Sequence, residues 1–357
     1  MKGLIQTMVL AVLGGCLFFI LRLPVPWMLG PLTAILVFKF SFKHYKQAVY
    51  WPPLLHQVPL VILGYVMGSS FSIDTRREII RLFPGMFVST AIIIGISLLT
   101  GLIIYRYIGV SYSTGILGSI PGGLTQTVML CEEIEGADIS VVTFMQTIRL
   151  LTVVFVVPFL VVHSSLAMHP ASINSQSVSS ALLLTDQYPL LIFYTSIAFL
   201  GGAIAKKIGL PTPFLMGPML CIAIPSLLGL SIPHLPSLLV KAAQIAFGAY
   251  LGNSIDFKSF DNFKRLLFFA LLSALTIIGV SLLVGYGLTH FYSMDLLTAF
   301  LATSPGGMSE MAVTALSVNA NLSIVTSYQL FRVLLINLMI LPILKRVLKS
   351  NKEIKEQ

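Results

Sequence analysis

A chain of 357 residues that is 56% hydrophobic and only 10% charged, with a mean hydropathy of +0.94, has too little polar surface to cover a water-soluble globule. The soluble classes are excluded, and the expected fold class is all-α integral membrane. A net charge of +9 would suggest nucleic acid as the partner of a soluble protein, but here much of it sits in short connecting loops and in the tail from Lys345 to Lys355. That pattern is a topology signal, so no nucleic acid is expected among the partners.

In chain order, Lys2 followed by an apolar run has the outline of a signal peptide, but no small-residue cleavage site comes after it. The run instead ends in Gly14-Gly15 and in Leu23-Pro-Val-Pro-Trp-Met-Leu-Gly-Pro31, which recurs as Leu210-Pro-Thr-Pro-Phe-Leu-Met-Gly-Pro218 at an offset of 187. Three further pairs occur in the same order. Gly64-Tyr-Val-Met-Gly-Ser-Ser70 matches Gly248-Ala-Tyr-Leu-Gly-Asn-Ser254, Gly118-Ser-Ile-Pro-Gly-Gly-Leu-Thr-Gln126 matches the stretch through Thr303-Ser-Pro-Gly-Gly-Met-Ser-Glu310, and Gln146-Thr-Ile-Arg149 matches Gln329-Leu-Phe-Arg332. Four ordered pairs mean a duplicated unit. The organisation read from them is a first membrane repeat over 1–165, an external linker over 166–186 that carries no Lys or Arg, and a second membrane repeat over 187–357 that ends in the basic tail.

Each repeat reads as six apolar segments, at roughly 4 to 21, 27 to 40, 54 to 72, 82 to 105, 112 to 131 and 139 to 163, and again at about 187 to 205, 213 to 230, 236 to 254, 266 to 289, 295 to 317 and 321 to 344. Leu4 to Leu21, Leu82 to Tyr105, Tyr188 to Ala205 and Leu266 to Thr289 each run 18 residues or more without an ionised side chain, long enough to span. A basic tail belongs on the cytoplasmic side and a linker without Lys or Arg outside. Six crossings per repeat would put the two on one side, whereas five separate them.

The segment that does not cross is the one containing Pro121-Gly122-Gly123 or Pro305-Gly306-Gly307. Proline lacks the donor N–H and paired glycines cost roughly 1 kcal/mol each, so the helix breaks and leaves arms of about nine residues, roughly 14 Å, half a bilayer core. A re-entrant hairpin is expected, with a fully spanning but unwound helix as the alternative. With hairpins, 15 of 22 Lys and Arg are cytoplasmic, four (Arg22, Arg76, Arg77 and Arg81) are external, the loop after Asp74 being the exception, and three lie within the membrane. An odd number of crossings makes two inverted repeats, each of about five transmembrane helices plus one re-entrant or broken Pro-Gly-Gly segment, with both termini cytoplasmic and the chain in the cell (plasma) membrane.

Paired Pro-Gly-Gly-Leu/Met-Thr/Ser-Gln/Glu motifs, paired Gln-x-x-Arg motifs and Leu-Pro-x-Pro-aromatic entries together resemble the AbrB-duplication membrane protein family over nearly the whole chain. That family is grouped with the cation/proton antiporter and anion transporter superfamily, so the resemblance implies a panel domain and a core domain with crossed, interrupted segments. Members have been labelled ammonia monooxygenases and one has been connected with regulation of gene expression, so the resemblance speaks to architecture more than to activity.

Chemistry is expected at the buried polar residues. Arg149 and Arg332 each lie about eleven residues into a segment, near mid-depth, where an arginine costs at least roughly 2.5 to 3.5 kcal/mol on insertion scales. Snorkelling would have to cross roughly 15 Å of hydrocarbon. Two other readings stand side by side: a structural bond to carbonyls freed at the hairpin, and binding of an anionic substrate group. Gln146 with Arg149, and Gln329 with Arg332, share one helix face. The candidate substrate-binding set is therefore Ser119, Pro121, Gly122, Gly123, Thr125, Gln126, Gln146 and Arg149 in the first repeat, with Ser304, Pro305, Gly306, Gly307, Ser309, Gln329 and Arg332 in the second. Glu310 breaks the duplication, because its counterpart is neutral Gln126. It could couple H+ or Na+, or be held in an ion pair with Arg332 or Arg149. Ser69, Ser70, Asn253 and Ser254 could line the same cavity or serve helix packing.

No enzyme is expected. The six histidines are scattered, Cys16, Cys131 and Cys221 make no CxxC, no Walker, GxSxG or HExxH motif occurs, and neither metal nor cofactor is expected. Glu132, Glu133, Glu135 and Asp138 read as a solvated loop. The expectation is a secondary transporter of a small organic anion coupled to H+ or Na+, with a membrane sensor affecting gene expression as the alternative. Its partners would be that small-molecule anion, H+ or Na+ and the lipid bilayer; homo-oligomerisation is left open.

Overall fold

Every described element of the computed structural model is helical, and residues 2–41, 51–163, 184–255 and 263–353 are described. The expected linker, up to residue 183, and the last residues of the basic tail fall outside them. The helices are α1 (Lys2–Ile20), α2 (Pro26–Ser41), α3 (Gln57–Ser69), α4 (Ile73–Ile108), α5 (Tyr112–Ser119), α6 (Leu124–Glu132), α7 (Ile139–His163), α8 (Leu184–Ile208), α9 (Pro213–Leu227), α10 (Ser237–Ser254), α11 (Phe263–Tyr292), α12 (Leu296–Thr303), α13 (Met308–Ser317), α14 (Leu322–Leu335) and α15 (Leu341–Glu353). A π-helical turn, Ile336–Ile340, joins the last two.

Five stretches, within α1, α4, α7, α8 and α11, are long and apolar enough to cross a membrane. Side chains such as Ile20, Leu238, Phe291 and Leu338 are outward-facing and apolar, as expected where lipid is the solvent. The protein is membrane-embedded. The fourth segment is longer than the hydropathy suggests: Arg76, Arg77 and Arg81 belong to the first turns of α4 and not to a loop. A helix need not end where its apolar stretch ends, because backbone hydrogen bonding continues in water.

The chain divides into two compact units that cut across the sequence repeats. One comprises Met1–Ile80, Pro158–Asp256 and Ala312–Ile324; the other comprises Arg81–Val157, Phe257–Met311 and Val325–Gln357. Each unit thus takes corresponding segments from both repeats.

In the first unit, α1 packs on α2 and α8 on α9 through glycine pairs, Gly14 with Gly30 and Gly201 with Gly217, all related by the offset of 187. A Cβ at Gly14, Gly30 or Gly217 would enter the opposing backbone, and one at Gly201 would strike the Cys221 sulfur. Small residues that let backbones touch are the usual means of helix association in lipid. The repeats also exchange partners. Gly64 of α3 rests on the Leu215 carbonyl of α9, and Gly248 of α10 on the Met28 carbonyl of α2; one turn on, Gly68 meets Met219 while Gly252 meets Leu32. The helix ends obey the same rule: Lys39 donates to the Ile255 carbonyl at 2.7 Å and to the Asn253 carbonyl at 2.8 Å, while Ser226 donates to the Phe71 carbonyl. Each is a buried acceptor that the C-terminus of a helix leaves open.

The Leu-Pro-x-Pro entries share an unusual backbone. Val25 (φ 46°) and Thr212 (φ 43°), at matching positions, both lie in the left-handed region, uncommon for β-branched residues, and their carbonyls accept the first N–H groups of α2 and α9. Ser69, Ser70 and Ser254 bond carbonyls of their own helices in this unit. Lys241 stands over the Trp27 ring at 5.9 Å.

The glycine contacts generate a direct test. Gly64→Leu and Gly248→Leu should each lower stability in detergent by about 1–3 kcal/mol, the usual cost of overpacking. Gly95→Ala, where no atom lies within 4 Å of the added carbon, should be neutral or slightly stabilising. Equal melting temperatures for all three would contradict the close approaches.

Candidate functional site

The second unit is built around the two broken segments. In the first, Ser111 caps α5, its hydroxyl accepting from the Thr114 N–H at 3.1 Å; Asp295 caps α12 in the same way, accepting from the Thr298 N–H at 3.2 Å. Both short helices then stop at the proline. Ile120 (φ −66°, ψ 133°) and Ser304 (φ −57°, ψ 131°) are extended, as a residue preceding proline must be.

Beyond the break the chain turns back. The Asp138 N–H donates to Thr114 Oγ1 at 2.8 Å, so the chain returns to the first turn of α5 before α7 begins. Asp138 itself caps α7, accepting from the N–H groups of Ser140 and Val141 at 2.8 and 3.1 Å, and Asn321 caps α14 likewise. The acidic residues between are therefore only partly a solvated loop: Asp138 is a helix cap, and Glu133 pairs with Lys345. Since α7 starts beside the start of α5, the two run side by side in the same direction. In the first repeat the chain thus comes back to the level at which α5 began.

Each Gln-x-x-Arg pair meets the carbonyls that the break leaves open. Gln146 Nε2 donates to the Leu117 and Ile120 carbonyls, both at 3.0 Å, and Arg149 Nη1 to those of Ser119 and Ile120 at 3.1 and 2.7 Å. In the second repeat, Gln329 Nε2 donates to the Leu301, Ala302 and Ser304 carbonyls at 2.9, 3.3 and 3.0 Å. Arg332 Nη1 donates to those of Thr303 and Ser304 at 3.2 and 2.8 Å, and Nη2 to Gly306 at 3.0 Å. Within each pair the glutamine Oε1 accepts from Arg Nη2, which fixes the planes of both groups. A guanidinium at the C-terminal end of a helix also meets the negative end of its dipole. The structural bond and the buried cation therefore occur together. The arginines' described hydrogen bonds go to carbonyls and to the glutamines, and none of these goes to Glu310.

The paired glycines do not supply a left-handed turn, since none of Gly122, Gly123, Gly306 and Gly307 has positive φ. Their use is steric. Gly123 is the N-cap of α6, and a Cβ there would strike the Gln126 amide; a Cβ on Gly307 would strike the Glu310 carboxylate. In both cases the side chain three residues into the helix folds back over the cap, the arrangement of a capping box with glycine in place of serine. Sequence reasoning missed this role, though the signal was present as Gly-x-x-Gln and Gly-x-x-Glu directly after the break.

Glu310 is 3% exposed and accepts from Ser309 Oγ at 3.0 Å. Ser119 and Ser304 hydroxyls bond the carbonyls of Gly115 and Phe300, at 2.9 and 2.8 Å, within their own helices. Pro121 and Pro305 are buried at the breaks. The Thr125 side chain lies outside the described residues. Among those described, no three His, Cys, Asp or Glu side chains converge as a metal site.

The bond inventory predicts an order of severity. Arg332→Gln removes four guanidinium hydrogen bonds and Arg149→Gln three. At about 1–3 kcal/mol for each buried acceptor left unsatisfied, Arg332→Gln should lower the unfolding temperature more. The reverse order, read by thermal unfolding in detergent, would contradict these contacts.

Residues 27–349 match the family model described as "Transition state regulatory protein AbrB". Among relatives, "Putative regulator AbrB" of Escherichia coli (strain K12) is 28% identical over 328 residues, covering 91% of this chain and 90% of that protein. "Uncharacterized protein YhjN" of Bacillus subtilis (strain 168) is 27% identical over 287 residues, 77% of this chain and 74% of that one. With the family model covering nearly all of the chain, including both Pro-Gly-Gly and both Gln-x-x-Arg motifs, the protein belongs to the AbrB family.

Proposed function

We propose that the protein is a secondary transporter of a small organic anion, driven by H+ or Na+, in the plasma membrane. The observation that carries the reading is a pair of buried guanidiniums held at two broken helices by carbonyls and amides, with none of their described hydrogen bonds going to a carboxylate. Two fixed positive charges in a low-dielectric setting favour an anion, and interrupted segments in matching halves are the usual place for a carrier's substrate. Glu310, present in one half only, supplies the place for the coupling cation. The relative's name as a regulator supports a sensing role as the second reading.

The two repeats are read as inverted about an axis in the membrane plane, with both termini cytoplasmic. Support comes from the reciprocal contacts of α3 with α9 and α10 with α2, since a self-complementary exchange is what a two-fold relation produces. Each hairpin returns to the side it entered, which leaves five crossings per repeat. Arg106 and His290, exposed near the ends of α4 and α11, are equivalent positions. Single cysteines there, in a background lacking Cys16, Cys131 and Cys221, should react with membrane-impermeant thiol reagents from opposite faces. Reaction from one face would sink the inverted repeat.

Transport is tested in proteoliposomes loaded against a panel of labelled carboxylates. The wild type should accumulate at least one of them under an inward proton or sodium gradient. Glu310→Gln should retain exchange of that anion yet lose gradient-driven accumulation, at least tenfold at equal protein. Full accumulation by Glu310→Gln would remove the coupling role. A wild type stabilised by an anion that it never moves would establish the sensor reading instead.

A further inference from the structure

The two halves of the second unit differ beside their arginines, and the difference is one of room. A small cleft at Arg149 is lined by Gly118, Ser119, Met145, Ala270 and Ser273. At the positions related by the duplication stand Ala302, Thr303, Tyr328, Met86 and Ser89. Four of the five are larger: alanine for Gly118, threonine for Ser119, tyrosine for Met145 and methionine for Ala270. Tyr328 and Met86 are each 2% exposed, and the Tyr328 hydroxyl reaches Gly85 on the neighbouring turn of α4. The space present beside Arg149 is therefore occupied by side chains in the other half.

The hydrogen bonds differ in the same sense. Arg332 places all four terminal N–H groups, the fourth on the Gly306 carbonyl. Arg149 places three, on Ser119, Ile120 and Gln146, and keeps one terminal N–H without an acceptor among the described residues while being only 9% exposed. A buried charged donor without an acceptor is costly, and the groups around it suit an anion. Ser119 and Ser273 bring hydroxyls that now donate to the Gly115 carbonyl and to Thr100 Oγ1, at 2.9 and 3.0 Å, and both can rotate. No acidic side chain lines the cleft.

We propose that the carboxylate end of the transported anion docks at Arg149 alone, one oxygen entering the cleft between Ser119 and Ser273, and that Arg332 is a closed structural clamp. This rests on the reading of the protein as an anion carrier and adds which of two similar arginines meets the substrate. At about 10 Å³ the cleft admits one water-sized group, here a single carboxylate oxygen. The remainder of the anion extends from its mouth, so small monocarboxylates should compete with the full substrate.

The probe is acetate, exchanged for a bulky sulfonate buffer anion at constant sodium and followed by thermal unfolding of the detergent-purified protein. Acetate should raise the wild-type transition by a few degrees in a saturable manner, because a ligand that binds only the folded state stabilises it. Ala270→Met, which installs the side chain of the other half, should abolish the rise. An acetate response unchanged in Ala270→Met, or absent from the wild type, would overturn the proposal. Should Ala270→Met fail to fold, the wild type decides by itself: 2,3-butanedione should modify Arg149 and not Arg332 in peptide mass spectra, and acetate should slow the reaction. Modification of Arg332 at an equal rate, or of neither, would overturn it. Acetate protection of Arg149 in a protein that accumulates no anion would refute transport and leave the binding site standing.

Discussion

An interrupted helix in an apolar medium leaves carbonyls that nothing but protein can satisfy, and the rest of the second unit is shaped by that need. Water is the usual partner for a helix end, and a bilayer interior withholds it. The Gln-x-x-Arg turn answers with two donors on one face of an adjacent helix. Gln146 and Arg149 reach carbonyls from residue 117 to residue 120, and Gln329 and Arg332 reach those from 301 to 306. Arginine is required because it is long, planar and always charged, so its donors cannot be lost by titration in the physiological range. The glutamine orients it, its own amide oxygen accepting a hydrogen bond from one guanidinium N–H. Charge, break and clamp are one device, present twice.

Duplication allows each half to serve as a control for the other. Helix caps (Ser111 and Asp295, Asp138 and Asn321), glycine contacts (Gly101 and Gly285) and the clamps themselves recur at offsets of 183 or 184. Where the halves diverge, a shared structural need cannot be the reason. Glu310 in place of Gln126, Tyr328 in place of Met145 and Met86 in place of Ala270 are divergences at the site, and the π-helical turn at Ile336–Ile340 is one beside it, with Ile336 packed near Gly122. Its counterpart in α7 is ordinary α-helix. π-Turns are retained mainly at functional sites, which fits a hairpin leaning on one.

Much of this can be read from the sequence, and the parts that cannot share a cause. Breaks are legible because proline and paired glycine act locally, and the duplication is legible because identities repeat at fixed spacing. The hairpin return is implied by charge bias, and its local form rests on a single bond, Asp138 to Thr114. The hidden features depend on contacts between segments distant in sequence. Lys39 has the look of a loop-flanking cation, yet it caps α10 more than 200 residues away, the carbonyl of Ile255 being 216 positions on. Likewise, the division into two units that interleave the repeats has no marker in composition. The cleft at Arg149 is set by Ala270 and Gly118, residues too ordinary to attract notice until their counterparts are placed beside them.

The capping role of Glu310 bears on how a coupling ion could act. Gly307 has no side chain, so the Glu310 carboxylate folds over the N-terminus of α13, where the helix dipole and open N–H groups favour negative charge. A proton or sodium ion taken up there would weaken that interaction by the same charge it neutralises, and the first turn of α13 would lose part of its cap. Gln126 at the matching place can cap α6 but cannot change its charge. On the proposed reading the two hairpins therefore divide the work: the Gln126 hairpin holds its shape beside the anion cleft, while the Glu310 hairpin answers the cation. On that reading the coupling would arise because one group is both helix cap and ion site.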